Sequence, residues 1–388
     1  MSAPVSFAQM LSTLESDTLS RLTAKVPEWA GVQGLSVPDR LCAEQCSGSA
    51  AARYKASVAH SAAGAAACTP SLSIADLTGG LGVDSWAFSR CFDRVLYNEM
   101  NPRLCEAVRA NFALLGVSNA QFSCQELTPA SLPSVLGDFR PDVIYLDPAR
   151  RAASGRKVFL LEDCSPDILS LQEALLEAAP VLLVKVSPMA DITMLSRRLG
   201  PCLQEIHVVG SGGECKELLC LLRRGAPAGE LRLILREGEW GEGFTLSEAR
   251  DAAPAFTPAQ ALSSGWIFEP SATLLKSGGA DLLCSRAGLT KLAPFTHLWH
   301  AQSPSETLPC GKWRRIAEVL PFSGAALGQV AAKYPRSEVL ARNLTPSGRG
   351  TVDTRQLRSR LGVASGTDAY IIGCTSLEGG SLIIICEF

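Results

Sequence analysis

Short apolar runs and amphipathic stretches take turns between residues 72 and 224, the pattern of strands alternating with helices. Ser71–Leu77 reads as an apolar strand ending at Asp76, followed by a glycine-rich turn and a helix over Val83–Arg90. Further strands are predicted at Arg94–Asn98, Ala120–Cys124, Val143–Leu146, Val181–Val186 and Ile206–Val209. Leu104, Val108, Phe112 and Leu115 share one face of a helix over Pro102–Leu115; Pro102 suits its first turn and Gly116 its end. Ile168, Leu171 and Leu175, then Ile192, Leu195 and Leu199, mark two more helices. Strands separated by helices in this way are parallel and covered on both faces. Gly210-Ser211-Gly212-Gly213 separates Ile206–Val209 from Leu218–Leu222, so the sheet should close with an antiparallel hairpin. Residues 1 to about 70 are instead Ala- and Ser-rich, with helical spacing and no strand signal. There Arg53 and Lys55 belong either to a helix packed on the next domain or to the edge of a substrate cleft.

A chain of 388 residues with 47% apolar and 19% charged residues can bury a large core, and its length suits two to four domains. Its 36 basic and 38 acidic residues leave a net charge of −2, which excludes a uniformly basic coat but not a local basic patch. No apolar run approaches the roughly 18 residues that span a bilayer. The start, MSAPVSFAQM, shows no basic segment leading into an apolar one, so a cytoplasmic location is expected, with no membrane partner. The 14 cysteines contain no C-x-x-C pair, and the four histidines stand apart from them. No metal site is expected, and the cysteines read as small buried hydrophobes.

Chemistry gathers at the carboxyl ends of the predicted strands, where open α/β sheets bind ligands. Asp76-Leu77-Thr78-Gly79-Gly80-Leu81-Gly82-Val83-Asp84 places glycines where a ligand must approach the backbone closely, just before a helix N-terminus. Glu99 ends the second strand, where an acid can accept both ribose hydroxyls of a nucleoside cofactor. Asn101 and Gln125 are its expected neighbours. Asp147-Pro148-Ala149-Arg150 ends the fourth strand and Lys185 nearly ends the next. A dinucleotide site wants G-x-G-x-x-G and pyrophosphate on the helix N-terminus. Here the spacing is GG-x-G, and the Asp76 carboxylate would repel pyrophosphate while suiting an ammonium and a sulfonium. The closing hairpin also departs from a dehydrogenase sheet. S-adenosyl-L-methionine is the expected cofactor, through Asp76, Thr78, Gly79, Gly80, Gly82, Asp84, Glu99, Asn101 and Gln125.

These segments resemble the bacterial class I methyltransferase-like proteins that carry a C-terminal THUMP-like domain. The resemblance runs through Leu41-Cys42-Ala43-Glu44-Gln45-Cys46-Ser47, Tyr54-Lys55, the glycine turn, and Tyr145-Leu146-Asp147-Pro148-Ala149-Arg150-Arg151. It continues through Asp163-Cys164-Ser165-Pro166-Asp167, Lys185-Val186-Ser187-Pro188-Met189, Glu214-Cys215-Lys216-Glu217-Leu218-Leu219, Trp266-Ile267-Phe268-Glu269-Pro270 and Thr296-His297-Leu298. It implies an N-terminal helical region (1–70) and a Rossmann-like methyltransferase domain (71–258), with a ferredoxin-like segment (259–312) and a THUMP-like domain (313–388) beyond it. THUMP domains sit on RNA-modifying enzymes, so the resemblance also points to RNA.

Residues 311–360 point the same way: ten basic residues against three acidic ones net +7. Lys312, Arg314, Arg315 and Arg342 are the candidates there for phosphate contacts, which supply most sequence-independent affinity for RNA. Asp147-Pro148 resembles the start of the D/N-P-P-Y/F motif of amino-group methyltransferases, in which the acid and a proline carbonyl hold the target amine. Ala149 and Arg150 depart from it, although a guanidinium can stack on a base. Asp147, Pro148, Arg150 and Lys185 are therefore the expected catalytic group, with Arg151 meeting substrate. The bland alternative pairs the two arginines with Glu162 and Asp163, and Lys185 with a sheet-end acid. Carbon methylation would need a nucleophilic thiol, and the nearby Cys164 reads as structural. The expected activity is methylation of a base nitrogen in tRNA or rRNA. The alternatives are a non-catalytic RNA-binding scaffold on the same fold, or methylation of a protein or small molecule.

Overall fold

The computed structural model describes residues 17–64, 66, 71–150, 161, 164–227, 229–346 and 350–388. The chain divides into two units, Met1–Val209 with Glu217–Leu231, and Gly210–Lys216 with Arg232–Phe388.

The first unit begins with helices α1 (17–25), α2 (Arg40–Gln45) and α3 (Ser49–Gly64). Strands β1 (Ser73–Asp76), β2 (Arg94–Asn98), β3 (Ala120–Ser123) and β4 (Val143–Leu146) follow. Helices α4 (Val83–Ser89), α5 (Pro102–Leu114) and α6 (Leu132–Leu136) fall between them. Two residue pairs, β5 (Ala149–Arg150) and β6 (Cys164–Ser165), make a small ladder that hydrophobic patterning does not reveal. Then come α7 (Ile168–Ala178), β7 (Val181–Val186), α8 (Ile192–Leu199), β8 (Leu203–Ser211) and β9 (Glu214–Arg223). The expected strands and helices are all present, most within two residues of their predicted limits. The hairpin strands run longer, because their outer residues add polar positions to an apolar centre.

Strand order is β8-β9-β7-β4-β1-β2-β3. The pairs β7–β4, β4–β1, β1–β2 and β2–β3 are parallel, and β9 runs antiparallel to β7. An all-parallel dinucleotide sheet would continue outward with a sixth parallel strand. An antiparallel strand inserted at that place is the hairpin expected from the glycine-rich tip. The order also puts the ends of β1, β2, β4 and β7 side by side.

Caps set the helix starts. Asn101 accepts from Arg103 N–H at 3.0 Å before Pro102, Asp167 from Leu169 N–H at 3.0 Å, and Asp191 from Met194 N–H at 2.7 Å. Leu22, Val26, Trp29, Ala52, Ala56 and Ala59 pack with Phe88, Val143, Tyr145, Val181, Leu183 and Leu219 in one core over one sheet face. Each large side chain buried there contributes roughly 1.5–3 kcal/mol.

The second unit has β10 (Arg232–Glu237) and β11 (Trp240–Thr245) as an antiparallel hairpin, then α9 (Leu246–Asp251). It continues with β12 (Trp266–Pro270), α10 (Ala272–Lys276), α11 (Ala280–Arg286), β13 (Thr290–Lys291), β14 (Trp299–Ala301) and β15 (Gly311–Pro321). It ends with α12 (Gly324–Lys333), β16 (Glu338–Arg342), α13 (Thr354–Leu361), β17 (Tyr370–Thr375) and β18 (Ser381–Cys386). Seven of these strands form one sheet, ordered β13-β14-β12-β15-β18-β17-β16, with β16–β17 parallel. Ile371, Ile383 and Ile385 face Val330, Leu357 and Leu361 of α12 and α13. Ile267, Ile316, Leu340, Ile372, Ile384 and Cys386 form the core of the other face. Among the described residues no helix is long and apolar enough to cross a membrane.

Candidate functional site

The turn after β1 is held by hydrogen bonds from both sides. Gly79 N–H donates to the Asn98 carbonyl at 2.8 Å, and the Tyr97 hydroxyl donates to the Gly80 carbonyl at 2.6 Å. A Cβ at Gly79 would stand 2.1 Å from the Tyr97 ring, so only glycine fits there. Gly82 takes φ +80°, and a Cβ there would meet Val108 at 2.6 Å. Gly80, at φ +51°, faces open space where a side chain would stand, so a ligand can come close to its Cα.

Asp76 lies under this turn, 1% exposed, accepting from the Ser85 hydroxyl at 2.5 Å and from Thr78 N–H at 3.2 Å. Burial pushes its carboxyl up to about 8; Ser85 and Thr78 oppose the shift, and Asp84 and Asp147 add to it. Glu99 accepts from Gly80 N–H at 3.0 Å and from Asn101 N–H at 2.9 Å, one bond per oxygen. Among the described residues nothing else bonds its carboxylate, which has about four acceptor sites, so two lone-pair directions can meet a ligand. Asn101 caps α5, and Gln125 is bonded to Ser123 and Ser134 at 3.1 and 2.7 Å, so both side chains hold loops. Sequence reasoning passed over Asn98. It is buried and ties the β1 and β3 loops together through the Leu77 and Gln125 carbonyls at 3.2 and 3.1 Å. The signal available was a polar side chain ending an otherwise apolar strand.

Asp147 begins the loop after β4. Its N–H donates to Thr78 Oγ1 at 2.6 Å, which joins it to the glycine turn, and its carboxylate is ion-paired with Lys185. Lys185 therefore meets a sheet-end acid, the bland alternative, and does not stand free for a phosphate. Beside the pair lies a buried charge cluster whose assembly from separate motifs no local spacing announced. Lys55, fully buried on α3, reaches Asp84 at 2.7 Å and stands 3.8 Å from Glu217 on β9. Asp84 also accepts from Ser47 at 2.9 Å and Tyr145 at 3.1 Å. Burial opposes ionisation of Asp84, but the Lys55 and Lys185 ammoniums outweigh it and hold the carboxyl below its usual range. Burial likewise opposes a charged Lys55, yet Asp84, Glu217 and Asp147 hold its ammonium above the ordinary value. Glu217 goes the other way: burial pushes it up despite Lys55 and Lys185. Arg53 pairs with Glu28 at the surface, so it takes no part in this cluster.

Asp76, Thr78, Gly79, Gly80, Gly82, Asp84, Glu99, Asn101, Gln125, Asp147, Pro148 and Lys185 thus belong to one set of strand-end loops and helix starts in the first unit. Arg150 continues into β5, opposite Cys164. Arg151, Glu162 and Asp163 lie outside the described residues, as does Arg349 of the basic stretch. The other substrate candidates belong to the second unit. Lys312 is exposed, Arg314 lies 3.3 Å over the Tyr370 ring, Arg315 pairs with Glu387 at 3.0 Å, and Arg342 with Glu269 at 3.2 Å. Among the described residues no group of three or more His, Cys, Asp or Glu side chains could hold a metal ion.

The strand order and the glycine turn between acidic strand ends define a methyltransferase fold. A solved Porphyromonas gingivalis W83 protein described as a "putative methyltransferase" is 28% identical, with a TM-score of 0.81 over 100% of this chain and 92% of its own. An rRNA methylase from Streptococcus thermophilus is 12% identical, with a TM-score of 0.31 over 43% of this chain and 94% of its own. A ferredoxin-like domain family matches residues 266–309. No curated protein matches the chain.

Proposed function

We propose that the chain is an S-adenosylmethionine-dependent methyltransferase acting on a base nitrogen in RNA. One observation carries the reading. Asp147 is hydrogen-bonded through its N–H to Thr78 and ion-paired with Lys185, so the acceptor-holding carboxylate and the cofactor turn form one connected unit. The residues fit the cofactor. Gly80 leaves space beside its Cα for close approach, Glu99 is fixed by two N–H donors with acceptor capacity to spare, and Asp76 offers a carboxyl to an ammonium. Gly79 and Gly82 allow the tight turn, Asn101 and Gln125 hold the neighbouring loops, and Asp84 anchors the helix that follows. When bound, the cofactor supplies an electrophilic methyl group.

Asp147 and the Pro148 carbonyl orient the target nitrogen and accept its hydrogen bonds, and Lys185 holds the Asp147 carboxylate in place. Orientation and proton acceptance can each be worth about 10²-fold or more in rate. Arg150 and Arg151 follow as the groups to stack on the base or meet a phosphate. Residues 313–388 act as a THUMP-like RNA module, with Arg314, Arg315 and Arg342 at its basic side and Lys312 just before it. Calorimetry with S-adenosylhomocysteine tests the cofactor half. Glu99→Ala removes a paired, charged acceptor and should cost on the order of 1.5–3 kcal/mol of binding. Binding as tight as wild type would remove the ribose assignment, and no binding by wild type would remove the cofactor.

A further inference from the structure

Three non-glycine residues among those described adopt left-handed backbone: Phe295 at φ 61°, His297 at φ 52° and Asn343 at φ 48°. They belong together. Asn343 Nδ2 donates to the Pro294 carbonyl at 3.3 Å, tying the 294–297 loop to the end of β16, where Arg342 stands. A left-handed backbone is disfavoured by any Cβ, most for a bulky residue such as phenylalanine, and persists where its surroundings over-determine it. The loop is anchored rather than loose, because Thr296, between the two rings, is fully buried. The consequence is an outward aromatic: Phe295 is 81% exposed, the most exposed large hydrophobic side chain among the described residues.

A lone exposed apolar side chain needs no explanation. This one belongs to a loop tied to Asn343, the neighbour of Arg342. Arg342 is bonded to one oxygen of Glu269 at 3.2 Å, and the Tyr370 hydroxyl to the other at 3.2 Å. The Arg314 guanidinium covers the Tyr370 ring, and exposed Lys312 is the strand partner of Glu269. Lys312, Arg314 and Arg342 are thus linked through a single carboxylate, Glu269, whose oxygens are both engaged. Partial desolvation, with Lys291 and Arg342 nearby, pushes the His297 imidazole below its ordinary value, which keeps it neutral at pH 7.

We infer that this loop and the basic residues around Glu269 bind an unpaired base of single-stranded RNA, with Phe295 as the stacking face and Lys312 on the adjoining phosphate. The inference rests on the RNA reading above and adds the place and mode of contact. An aromatic face exposed next to unpaired positive charge suits a nucleotide, whose base stacks while its phosphate seeks a cation. A protein partner would leave the charges of Lys312 and Arg342 to be desolvated. A duplex would offer no free base face. Arg342, held by Glu269, keeps donors free for the base edge.

The test is fluorescence anisotropy of the full-length protein with a labelled single-stranded oligoribonucleotide of mixed sequence, and with its duplex. Phe295→Ala should weaken single-strand binding about 5- to 150-fold, as expected for one stacked base, without changing the salt dependence. Phe295→Trp should restore it. Lys312→Ala should reduce the slope of log affinity against log salt by about 0.7. Both variants should bind S-adenosylhomocysteine like wild type. Equal single-strand affinity of Phe295→Ala and wild type, or an equal loss on the duplex, overturns this inference while leaving the RNA reading in place. Wild type that binds no single-stranded RNA overturns both.

Discussion

Asp76 is buried where a charge is costly, and burial, opposed by Ser85 and reinforced by Asp84, puts its carboxyl at about 8. It is therefore largely protonated at neutral pH. A bound ammonium reverses that preference, so binding a cationic amino acid end should release a proton. The sign follows: affinity for S-adenosylmethionine should rise with pH and level off above about 8. Calorimetry in buffers of different ionisation enthalpy measures the released proton, and Asp76→Asn should abolish the dependence. A flat affinity between about pH 6 and pH 8 would contradict the role given to Asp76. Asp76, Glu99 and Asp147 were legible in the sequence because each ends an apolar run, and strand ends in such a sheet converge. Lys55 was a candidate too, but its pairing was not legible, because its partners Asp84 and Glu217 lie 29 and 162 residues further along the chain.

Helix α3 shows what the pattern did and did not carry. Its Ala-rich spacing predicts a helix with one small-residue face, and Ala52, Ala56, Ala59 and Ala63 are buried against the sheet. Lys55 stands on that same apolar face, three residues after Ala52 and four before Ala59. A cation there must be exposed at an edge or paired inside, and periodicity alone cannot choose. It is paired inside, so α3 both packs on the sheet and delivers a charge to the strand ends. Lys55→Met would leave Asp84 and Glu217 buried without their cation. Removing one partner of a buried pair costs about 3–5 kcal/mol. Chemical denaturation should show a loss of that size, and Lys55→Met as stable as wild type would mean the cluster contributes no net stability.

For the molecule as a whole, local charge counting misleads. The +7 of residues 311–360 is read from a sequence window, but the fold brings acids to it from elsewhere. Glu387 pairs with Arg315, Glu269 with Arg342 and Asp368 with Arg336, all from outside the window. Inside it, Glu318 pairs with Lys333 and Glu338 with Arg358. Lys312, Arg355 and Arg360 are left exposed without an acidic partner among the described residues. If these three meet phosphates, single-stranded RNA affinity should fall with salt with a slope of about −2. A slope near −5 would mean that the paired arginines also let go of their acids.

The claim that joins these scales is that Asp147 presents an RNA base nitrogen to a methyl group. The most direct measurement incubates the purified protein with methyl-labelled S-adenosylmethionine and RNA from a strain lacking this protein, then locates the label. Wild type should label one RNA position, on a base nitrogen. Asp147→Asn should transfer about 10²-fold more slowly while binding S-adenosylhomocysteine within a few-fold of wild type. RNA left unlabelled by wild type, or labelled equally fast by Asp147→Asn, would contradict the account.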